Sequence, residues 1–315
     1  MNAENAIAVS GLTYHYGPRR ALDELEFSIR AGEIFAFVGP NGGGKTTLFR
    51  LLSTLVPLQQ GQLTVFGLDA RREVLAIRRL IGVVFQAPSL DNKLTVAENL
   101  RHQGHLYGLS ARAAAPRQDQ LLDRLGLAAR RGEMAEHLSG GLRRRVELAK
   151  GMLHQPRLLL LDEPSTGLDP GARNDLWAIL ETLRREEGVT VVLTTHLLDE
   201  AEKAQRVAIL HEGALVALDT PDALRASVGG DAITITTPDA AGLATQIRDR
   251  FQCQTAVIDG RVRLEQPDGH QWIARLVEAF PGRIDSVTFA RPSLEDVFID
   301  RTGHRFRQEM KSHDR

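Results

Sequence analysis

Cysteine, aromatic residues and long apolar runs are scarce in this chain. Its 315 residues include one cysteine, Cys253, and 5% aromatic residues. A single cysteine excludes an internal disulfide and a cysteine-based metal cluster, and it is typical of proteins in a reducing cytoplasm. No apolar run approaches the roughly 20 residues that a membrane-spanning helix needs, and Met1–Asn5 lack the basic start of a signal peptide. We therefore expect a cytoplasmic protein that reaches a membrane only through a partner.

Charge of one sign is not in excess either. The 39 basic and 40 acidic side chains leave a formal net charge of -1, so global electrostatics do not favour binding to nucleic acid. A hydrophobic content of 43% and a charged content of 25% are ordinary for a globular protein. The length provides room for one large α/β domain and a smaller second domain.

The most specific pattern is a glycine-rich loop behind an apolar strand. The run Ile34–Val38 leads into residues 39–47, GPNGGGKTT, which fit the phosphate-binding pattern G-x-x-x-x-G-K-[ST]. Glycines let backbone N–H groups approach phosphate oxygens, and a helix over 45–55 would add the partial positive charge of its N-terminus. Lys45 would contact the β- and γ-phosphates, and Thr46 would offer its hydroxyl to Mg²⁺. The sequence therefore predicts a nucleoside triphosphate site. The loop residues predicted to bind the nucleotide are Gly39, Asn41, Gly42, Gly43, Gly44, Lys45, Thr46 and Thr47.

The order of predicted elements indicates one large α/β domain over residues 1–225. Continuous apolar runs at 157–161 and 189–194 are typical of parallel strands covered on both faces. A mostly helical insertion occupies about 95–155 and opens with a capping-box pattern, Thr95 followed by Glu98. Further strands are predicted at 6–12, 22–30, 33–38, 62–66, 81–85, 207–210 and 214–218, and further helices at 116–125, 142–153 and 170–185.

A change of composition near 221–230 indicates a second, small α+β domain over roughly 230–300. Its strands are predicted at 232–236, 255–258, 261–265 and 285–289, and its helices at 243–251 and 271–280. Residues 301–315 are basic and polar, so we expect a flexible tail there.

Two acidic residues end the apolar run Leu158–Leu161. Because ligands of open α/β folds lie at the carboxyl ends of the strands, Asp162 and Glu163 would face such a ligand. Asp162 suits a role in holding Mg²⁺ or its water, and Glu163 is placed to act as a general base on the attacking water. A strand that simply ends in solvated acids would explain this pattern equally well if it stood alone.

Three further patterns are weak when taken one at a time. Residues 138–142, LSGGL, precede a predicted helix that carries Arg143–Arg145. They can form a second anion-binding helix N-terminus, or simply a capped helix with a solvated basic face. His196 and Gln86 each follow a predicted strand. Such a lone residue is more often structural than catalytic.

Together, these patterns resemble an ATP-binding cassette (ABC) ATPase over nearly all of residues 5–220. Six motifs occur in the family's order: the phosphate loop, the glutamine after a strand, the Ser-Gly-Gly signature, the Asp-Glu strand end, the segment STGLD at 165–169 and the final histidine. The resemblance implies a P-loop ABC ATPase domain of the α/β class, with a mixed sheet and a helical subdomain. It also implies that the chain hydrolyses ATP and uses Mg²⁺.

The resemblance implies roles for individual residues as well. Tyr16 matches the aromatic residue that stacks on adenine, although Tyr14 is close enough to compete for that role. Gln86 matches the residue that senses Mg²⁺ and the γ-phosphate, and His196 matches the γ-phosphate switch. The implied catalytic residues are Glu163, His196 and Gln86, and the implied Mg²⁺ ligands are Thr46, Gln86 and Asp162.

One chain has a single phosphate loop and a single signature. In ABC ATPases each ATP lies between the loop of one copy and the signature of another, so the resemblance implies a homodimer. The signature residues are Ser139, Gly140 and Gly141. Asp169 matches a loop that contacts the partner copy. Leu142 and Gly43 depart from the family pattern, which commonly has glutamine and alanine there. We expect activity to survive both changes, with a slightly looser phosphate loop.

Residues 291–299, RPSLEDVFI, resemble the C-terminal part of bacterial drug-resistance-type ABC ATPases. In those, the ATPase dimer serves a separately encoded type-2 export permease. We therefore expect an ATPase subunit that lies peripherally on the inner face of the cell membrane, with no nucleic acid partner. The small domain would regulate the cycle or only strengthen the dimer. The alternative function is a soluble ABC-type ATPase that acts on ribosomes or DNA; such forms usually carry two cassettes, long coiled coils or cysteine zinc sites.

The resemblance also places a groove for the permease between Ala87 and about Leu109. The residues expected to supply its apolar groups are Leu90, Leu94, Leu106 and Tyr107. The alternative is that these residues belong to the core of the helical insertion.

Overall fold

The computed structural model describes residues 4–266, 269–290, 292–303 and 306. They divide into two compact units, one ending at Leu218 and the other starting at Asp219. Each unit has its own sheet and its own hydrophobic core. The second unit therefore begins before the predicted domain boundary at residue 225.

The first unit is built on two sheets and a helical insertion. Its strands are β1 (Asn5–Tyr16), β2 (Arg19–Arg30), β3 (Ile34–Val38), β4 (Gln60–Val65), β5 (Leu68–Asp69), β6 (Ile81–Val84), β7 (Leu158–Asp162), β8 (Thr190–Thr195), β9 (Arg206–His211) and β10 (Ala214–Asp219). Its α-helices are α1 (Lys45–Leu52), α2 (Val74–Leu80), α3 (Val96–Leu106), α4 (Ala111–Arg124), α5 (Gly140–Met152), α6 (Pro170–Glu187) and α7 (Leu198–Ala201).

The central sheet has the strand order β10-β9-β3-β8-β7-β6. Strands β3, β7 and β8 are buried along their whole length, because neighbouring strands and helices cover both faces, as their unbroken apolar sequences predict. The pairs β3–β8, β7–β8, β6–β7 and β3–β9 are parallel. The carboxyl ends of β3, β6, β7 and β8 therefore meet at one edge, where the phosphate loop, Gln86, Glu163 and His196 follow them.

A second sheet is antiparallel, with the order β2-β1-β4-β5. Strands β1 and β2 form a long hairpin in which Tyr16 pairs with Arg19 next to the turn. Its buried side packs with β3 and α1 in one hydrophobic core, which includes Tyr14. The hairpin thereby carries Tyr16 toward the phosphate loop.

The helical insertion contains α3, α4 and α5. Thr95 caps α3 by accepting from the N–H of Glu98, whose carboxylate in turn accepts from the Thr95 N–H, as the sequence predicts. Helix α4 begins at Ala111 rather than at the predicted Pro116, because Ser110 provides the cap and Pro116 lies inside the helix. Helix α5 begins directly after Ser139.

The second unit is an antiparallel sheet with helices packed on it. Its strands are β11 (Asp231–Thr236), β12 (Thr255–Ile258), β13 (Arg261–Gln266) and β14 (Ser286–Ala290), in the order β12-β13-β11-β14. Its helices are α8 (Pro221–Ala226), α9 (Ala240–Phe251), α10 (Gly269–Ala279) and α11 (Leu294–Thr302). Residues of α9, α10, β11 and β13 share its core, so this part of the chain is α+β.

The prediction of a flexible tail from residue 301 is wrong for the first residues of that range. Arg301 and Thr302 are the last residues of α11, Gly303 ends that helix with a positive φ of 75°, and Phe306 is buried. The rest of the predicted tail, residues 304–305 and 307–315, lies outside the described residues. In the part of the chain that is described, no helix has the length and apolar character needed to cross a membrane.

Candidate nucleotide-binding and hydrolysis site

The phosphate loop runs from the end of β3 into the first turn of α1. Gly42 and Gly44 have positive φ values of 79° and 102°, a backbone region that favours glycine. At Gly39, a Cβ atom would lie 2.2 Å from the Leu210 carbonyl oxygen, so that position has no room for a side chain. The loop therefore depends on glycine both for its curvature and for its contact with β9.

Lys45 is buried at the base of this loop and is 5% exposed. Its Nζ donates to the carbonyl oxygens of Gly39 at 2.7 Å and Pro40 at 3.0 Å, and it lies 4.0 Å from Glu163 Oε1. Burial lowers the pKa of Lys45, although the negative charges of Glu163 and Asp162 act in the opposite direction. The ammonium group is thus held inside the loop that wraps around it.

Glu163 lies at the centre of a set of hydrogen bonds. His196 Nδ1 is 3.0 Å from Glu163 Oε2, and the same oxygen accepts from Thr166 Oγ1 at 3.1 Å and Gln86 Nε2 at 3.4 Å. Burial raises the pKa of Glu163, but the hydrogen bond and charge of His196, with the charge of Lys45, outweigh it and leave the pKa below its ordinary value. The carboxylate form, which can accept a proton from water, is therefore favoured.

Asp162 lies one residue earlier, at the end of β7. Its Oδ1 accepts from Thr194 Oγ1 at 2.6 Å, and the residue is 6% exposed. Burial raises the pKa of Asp162, and the negative charge of Glu163 acts in the same direction; together they outweigh this hydrogen bond and the positive charges of Lys45 and Arg144. No cluster of three or more His, Cys, Asp or Glu side chains that could hold a metal occurs among the described residues. A magnesium ion that binds with a nucleotide needs only one or two protein oxygens, since phosphates and waters supply the rest. Thr46 and Gln86, which both line the nucleotide cavity, offer two such oxygens, and Asp162 is a buried carboxylate that does not line it.

An open cavity of about 490 Å³ lies over the phosphate loop. Its lining residues are Tyr16, Arg19, Ala21, Asn41, Gly42, Gly44, Lys45, Thr46, Thr47, Gln86, Glu163, Thr166 and His196. The cavity therefore brings together most of the residues expected to bind the nucleotide, whereas Gly39, Gly43 and Asp162 do not line it. Tyr16 is 42% exposed at the cavity, and Tyr14 is 8% exposed in the core, so only Tyr16 is available to stack on a base.

The signature residues lie elsewhere in the first unit. Ser139 Oγ accepts from the Leu142 N–H and caps α5. The donor is a backbone N–H, so a leucine at 142 serves as well as a glutamine. A second cavity, of about 410 Å³, opens beside this helix end. Its lining residues are Ser139, Gly140, Gly141, Leu142, Arg145, Gly167, Leu168, Asp169, Gly171, Ala172 and Asp175. The two cavities share no residue, so within one chain the signature does not reach the phosphate loop.

The other departure from the family pattern has a local explanation. A Cβ atom on Gly43 would lie 3.1 Å from the Pro40 carbonyl oxygen and 3.2 Å from that of Leu210. Both distances are tighter than an ordinary van der Waals contact, so an alanine would need a small shift of this loop. Glycine avoids that shift here.

Some residues around the site were missed by sequence reasoning. Thr166 and Arg19 line the nucleotide cavity. Glu200, 5% exposed, accepts from Ser165 Oγ at 2.5 Å and Thr195 Oγ1 at 3.0 Å, and it thereby joins the segment after Glu163 to the end of β8. Ser165 and Thr166 lie in the segment STGLD, but no role was predicted for either, and no local pattern marks Arg19 or Glu200. One interpretation of the three arginines at 143–145 was a solvated basic face. That interpretation is wrong for the central one, Arg144, which is buried.

Comparison with known proteins finds relatives over almost the whole chain. The ABC transporter family matches residues 22–166. The chain is 36% identical over 313 residues to the daunorubicin resistance ATP-binding protein DrrA2 of Streptomyces coeruleorubidus, with 95% of this chain and 96% of the relative covered. It is 33% identical to the linearmycin resistance ATP-binding protein LnrL of Bacillus subtilis, with 93% and 96% covered. The solved structure of cbiO1 from Clostridium perfringens, part of an ABC transporter complex, superposes with a TM-score of 0.66 at 25% identity, over 79% of this chain and 96% of that one.

The chain therefore belongs to the ATP-binding proteins of ABC transporters, in the group that includes drug-resistance proteins. It binds and hydrolyses ATP as the energising subunit of a transport system. The predicted family and fold class are confirmed. These relatives favour transport over the alternative of a soluble ATPase that acts on ribosomes or DNA.

Proposed function

We propose that the chain works as a homodimer that encloses two ATP molecules. The observation that carries this proposal is the separation of the two cavities within one chain, one at the phosphate loop and one at the signature. A second copy in the opposite orientation would bring its Ser139, Gly140 and Gly141 over the nucleotide of the first. A symmetric pair of this kind completes both sites at once.

In the proposed cycle, Tyr16 stacks on the base and the phosphate loop binds the phosphates. Lys45, whose ammonium donates to the carbonyl oxygens of Gly39 and Pro40, would contact the β- and γ-phosphates. Mg²⁺ would be held by Thr46, Gln86 and Asp162, and would neutralise negative charge on the phosphates.

Glu163 is the proposed general base. Its carboxylate accepts the proton of the attacking water, and the hydrogen bonds from Thr166 and His196 orient it. His196 lies beside both Glu163 and the cavity, so it can also contact the γ-phosphate. Opening of the dimer after hydrolysis would release ADP and phosphate.

The proposed partner is a separately encoded export permease in the cell membrane, with the ATPase peripheral on its inner face. Apolar side chains are exposed on the segment where the permease is expected to bind: Phe85 and Tyr107 are each 37% exposed and Leu106 is 82% exposed. Leu90 and Leu94 are half-buried. Because curated relatives are resistance proteins for daunorubicin and linearmycin, we propose that the cargo is an antibiotic-like organic molecule.

The variant Glu163→Gln tests the proposed hydrolysis. Glutamine keeps the shape of the side chain but cannot accept the proton, so kcat should fall by a factor on the order of 10²–10⁴. Affinity for a non-hydrolysable ATP analogue should stay close to that of the wild type, and an ATP-bound dimer should accumulate in size-exclusion chromatography. Near-normal turnover at saturating Mg·ATP would remove Glu163 from the mechanism.

A further inference from the structure

Three consecutive arginines on the first turns of α5 contact three different parts of the first unit. Arg143 donates to the carbonyl oxygens of Ala135 at 3.0 Å and Glu136 at 2.7 Å, just before the signature. Arg145 donates to Leu125 and forms an ion pair with an exposed aspartate. Arg143 and Arg145 therefore hold neighbouring parts of the helical insertion and of α6. Arg144, between them, has a different set of partners.

Arg144 is 8% exposed and its guanidinium donates to three backbone carbonyl oxygens. Nε donates to Pro164 at 2.8 Å, Nη1 to Phe85 at 2.8 Å and Nη2 to Asp162 at 3.2 Å. Phe85 immediately precedes Gln86, and Asp162 and Pro164 are the two neighbours of Glu163. One rigid, planar group thus holds the backbone on both sides of Glu163 and the backbone next to Gln86.

The charge of Arg144 is compensated on the same face of α5. Glu147, also buried, accepts from Arg144 Nη1 at 2.8 Å, and its other oxygen accepts from the N–H of Ser89 at 2.7 Å. Lys150, one turn further, donates to the carbonyl oxygen of Ser89 at 2.7 Å. The segment that follows Gln86 is therefore attached to α5 as well, by a second and a third side chain.

We propose that Arg144 is a positioning residue for ATP hydrolysis. It fixes the distance between the backbone segments that carry Gln86 and Glu163, and it does so from the helix whose N-terminus is the signature. Because Arg144 does not line the nucleotide cavity, it acts through these two residues and not on the nucleotide. The inference rests on the proposed roles of Gln86 and Glu163.

The test compares Arg144→Lys with Arg143→Lys, a matched change one residue away that leaves the three carbonyl contacts in place. A lysine at 144 keeps the positive charge beside Glu147 but cannot reproduce the planar fork of donors. We expect kcat at saturating Mg·ATP to fall about tenfold or more, because misplacement of a catalytic group by about 1 Å is enough for losses up to 10²-fold. For Arg144→Lys, the dissociation constant for a non-hydrolysable ATP analogue should stay within about twofold of the wild type. For Arg143→Lys, both kcat and this dissociation constant should stay within about twofold.

A double variant, Arg144→Gln with Glu147→Gln, removes the buried charge pair together. This avoids leaving Glu147 buried and unpaired, which by itself would destabilise the fold. Its kcat should fall at least as far as that of Arg144→Lys. Glu147→Gln alone keeps an acceptor for Arg144 and leaves the three carbonyl contacts of Arg144 in place, so its kcat per folded molecule should fall less than that of either Arg144 variant. All rates are measured well below each melting temperature and expressed per folded molecule.

If Arg144 only stabilises the fold, melting temperatures will fall while kcat per folded molecule stays at the wild-type value, and that result overturns the proposal. A kcat for Arg144→Lys within about twofold of the wild type overturns it as well, because a misplaced catalytic group would cost far more than that. Glu163→Gln is measured in parallel. If that variant is inactive while the Arg144 variants are normal, only the positioning role fails; if Glu163→Gln is fully active, the proposed hydrolysis mechanism fails instead.

Discussion

At the scale of single residues, the backbone of Glu163 has an unusual conformation. Its φ is 44°, in the left-handed region that residues other than glycine seldom adopt. The conformation is maintained by Thr194, whose carbonyl oxygen and hydroxyl both accept from the Glu163 N–H, at 3.1 and 3.0 Å. The same hydroxyl donates to Asp162. The sharp turn directs the two successive carboxylates differently, with Asp162 buried and Glu163 at the cavity. Local strain of this kind is common at functional sites.

The buried charge of Lys45 leads to a prediction about stability. Burial places the pKa of Lys45 below its ordinary value of 10.5, so the charged form is less favoured in the folded chain than in the unfolded chain. This penalty is fully present below the lowered pKa of the folded chain, decreases as the pH rises from there, and is absent above 10.5. We therefore expect Lys45→Met to leave the melting temperature of the nucleotide-free protein unchanged or raised near neutral pH. The rise in melting temperature that an ATP analogue produces in the wild type should be lost.

Thermal unfolding with and without the analogue measures both effects. Lys93→Met, at a lysine whose side chain is 78% exposed, controls for the loss of a surface charge. A clear drop in melting temperature for Lys45→Met without nucleotide would show that the bonds to Gly39 and Pro40 outweigh the penalty of burying the charge.

At the scale of elements, the C-terminal end of helix α3 exposes two apolar side chains, Leu106 and Tyr107. Leu106, its last residue, is 82% exposed, whereas Leu100, on the same helix, is fully buried. Tyr107 stacks on His154 with ring centroids 3.8 Å apart. Of the four residues expected in the permease groove, Leu106 is therefore the one with least part in the core, and Tyr107 combines surface exposure with packing.

We expect Leu106→Ala to leave the melting temperature and basal ATPase activity unchanged and to lower the fraction of the chain that remains with membranes of cells that contain the permease. The reason is that its side chain contacts little of its own unit, so any role must concern a partner. Leu100→Ala is the matched control, and it should lose about 2–5 kcal/mol of stability. Wild-type membrane association of the Leu106 variant would mean that the groove does not include this residue.

At the scale of the whole molecule, the two separate cavities predict complementation between inactive chains. Ser139→Arg should abolish hydrolysis without weakening ATP binding to the phosphate loop of the same chain, because the bulky side chain would block only the partner's nucleotide. Lys45→Met chains keep an intact signature. Mixed dimers then contain one complete site, formed by the phosphate loop of the Ser139 variant and the signature of the Lys45 variant. ATPase activity should therefore reappear on mixing.

Subunit exchange must be shown independently, with chains that carry different affinity tags. Verified mixed dimers without activity would contradict the shared site, or would show that one complete site cannot operate beside a blocked one. A tagged mixed dimer of Glu163→Gln with the wild type provides a control for the second possibility, because its opposite site keeps an intact signature and can bind ATP but does not hydrolyse it.

The sequence by itself determined the parts of this protein that depend on neighbouring residues. The phosphate loop, the capping box at Thr95 and the fully apolar strands are local patterns, since their glycines, caps and side-chain periodicity act within a few residues. The α/β class and the order of motifs followed from them. Element ends were less predictable: Pro116 suggested a helix start, but the cap at Ser110 begins α4 earlier.

Only the tertiary structure decided which residues meet. Tyr14 and Tyr16 are two residues apart on one strand, so alternation places them on the same face, and only packing against the core buries the first and leaves the second at the cavity. Arg144 contacts carbonyl oxygens 59 and 20 residues away along the chain, and nothing local distinguishes it from the arginines beside it. The order of motifs along the chain includes both the signature and the phosphate loop, but the two line separate cavities. The physical reason is common to these cases: burial and hydrogen bonding between distant segments depend on how strands and helices pack, and that information is absent from any short stretch of sequence.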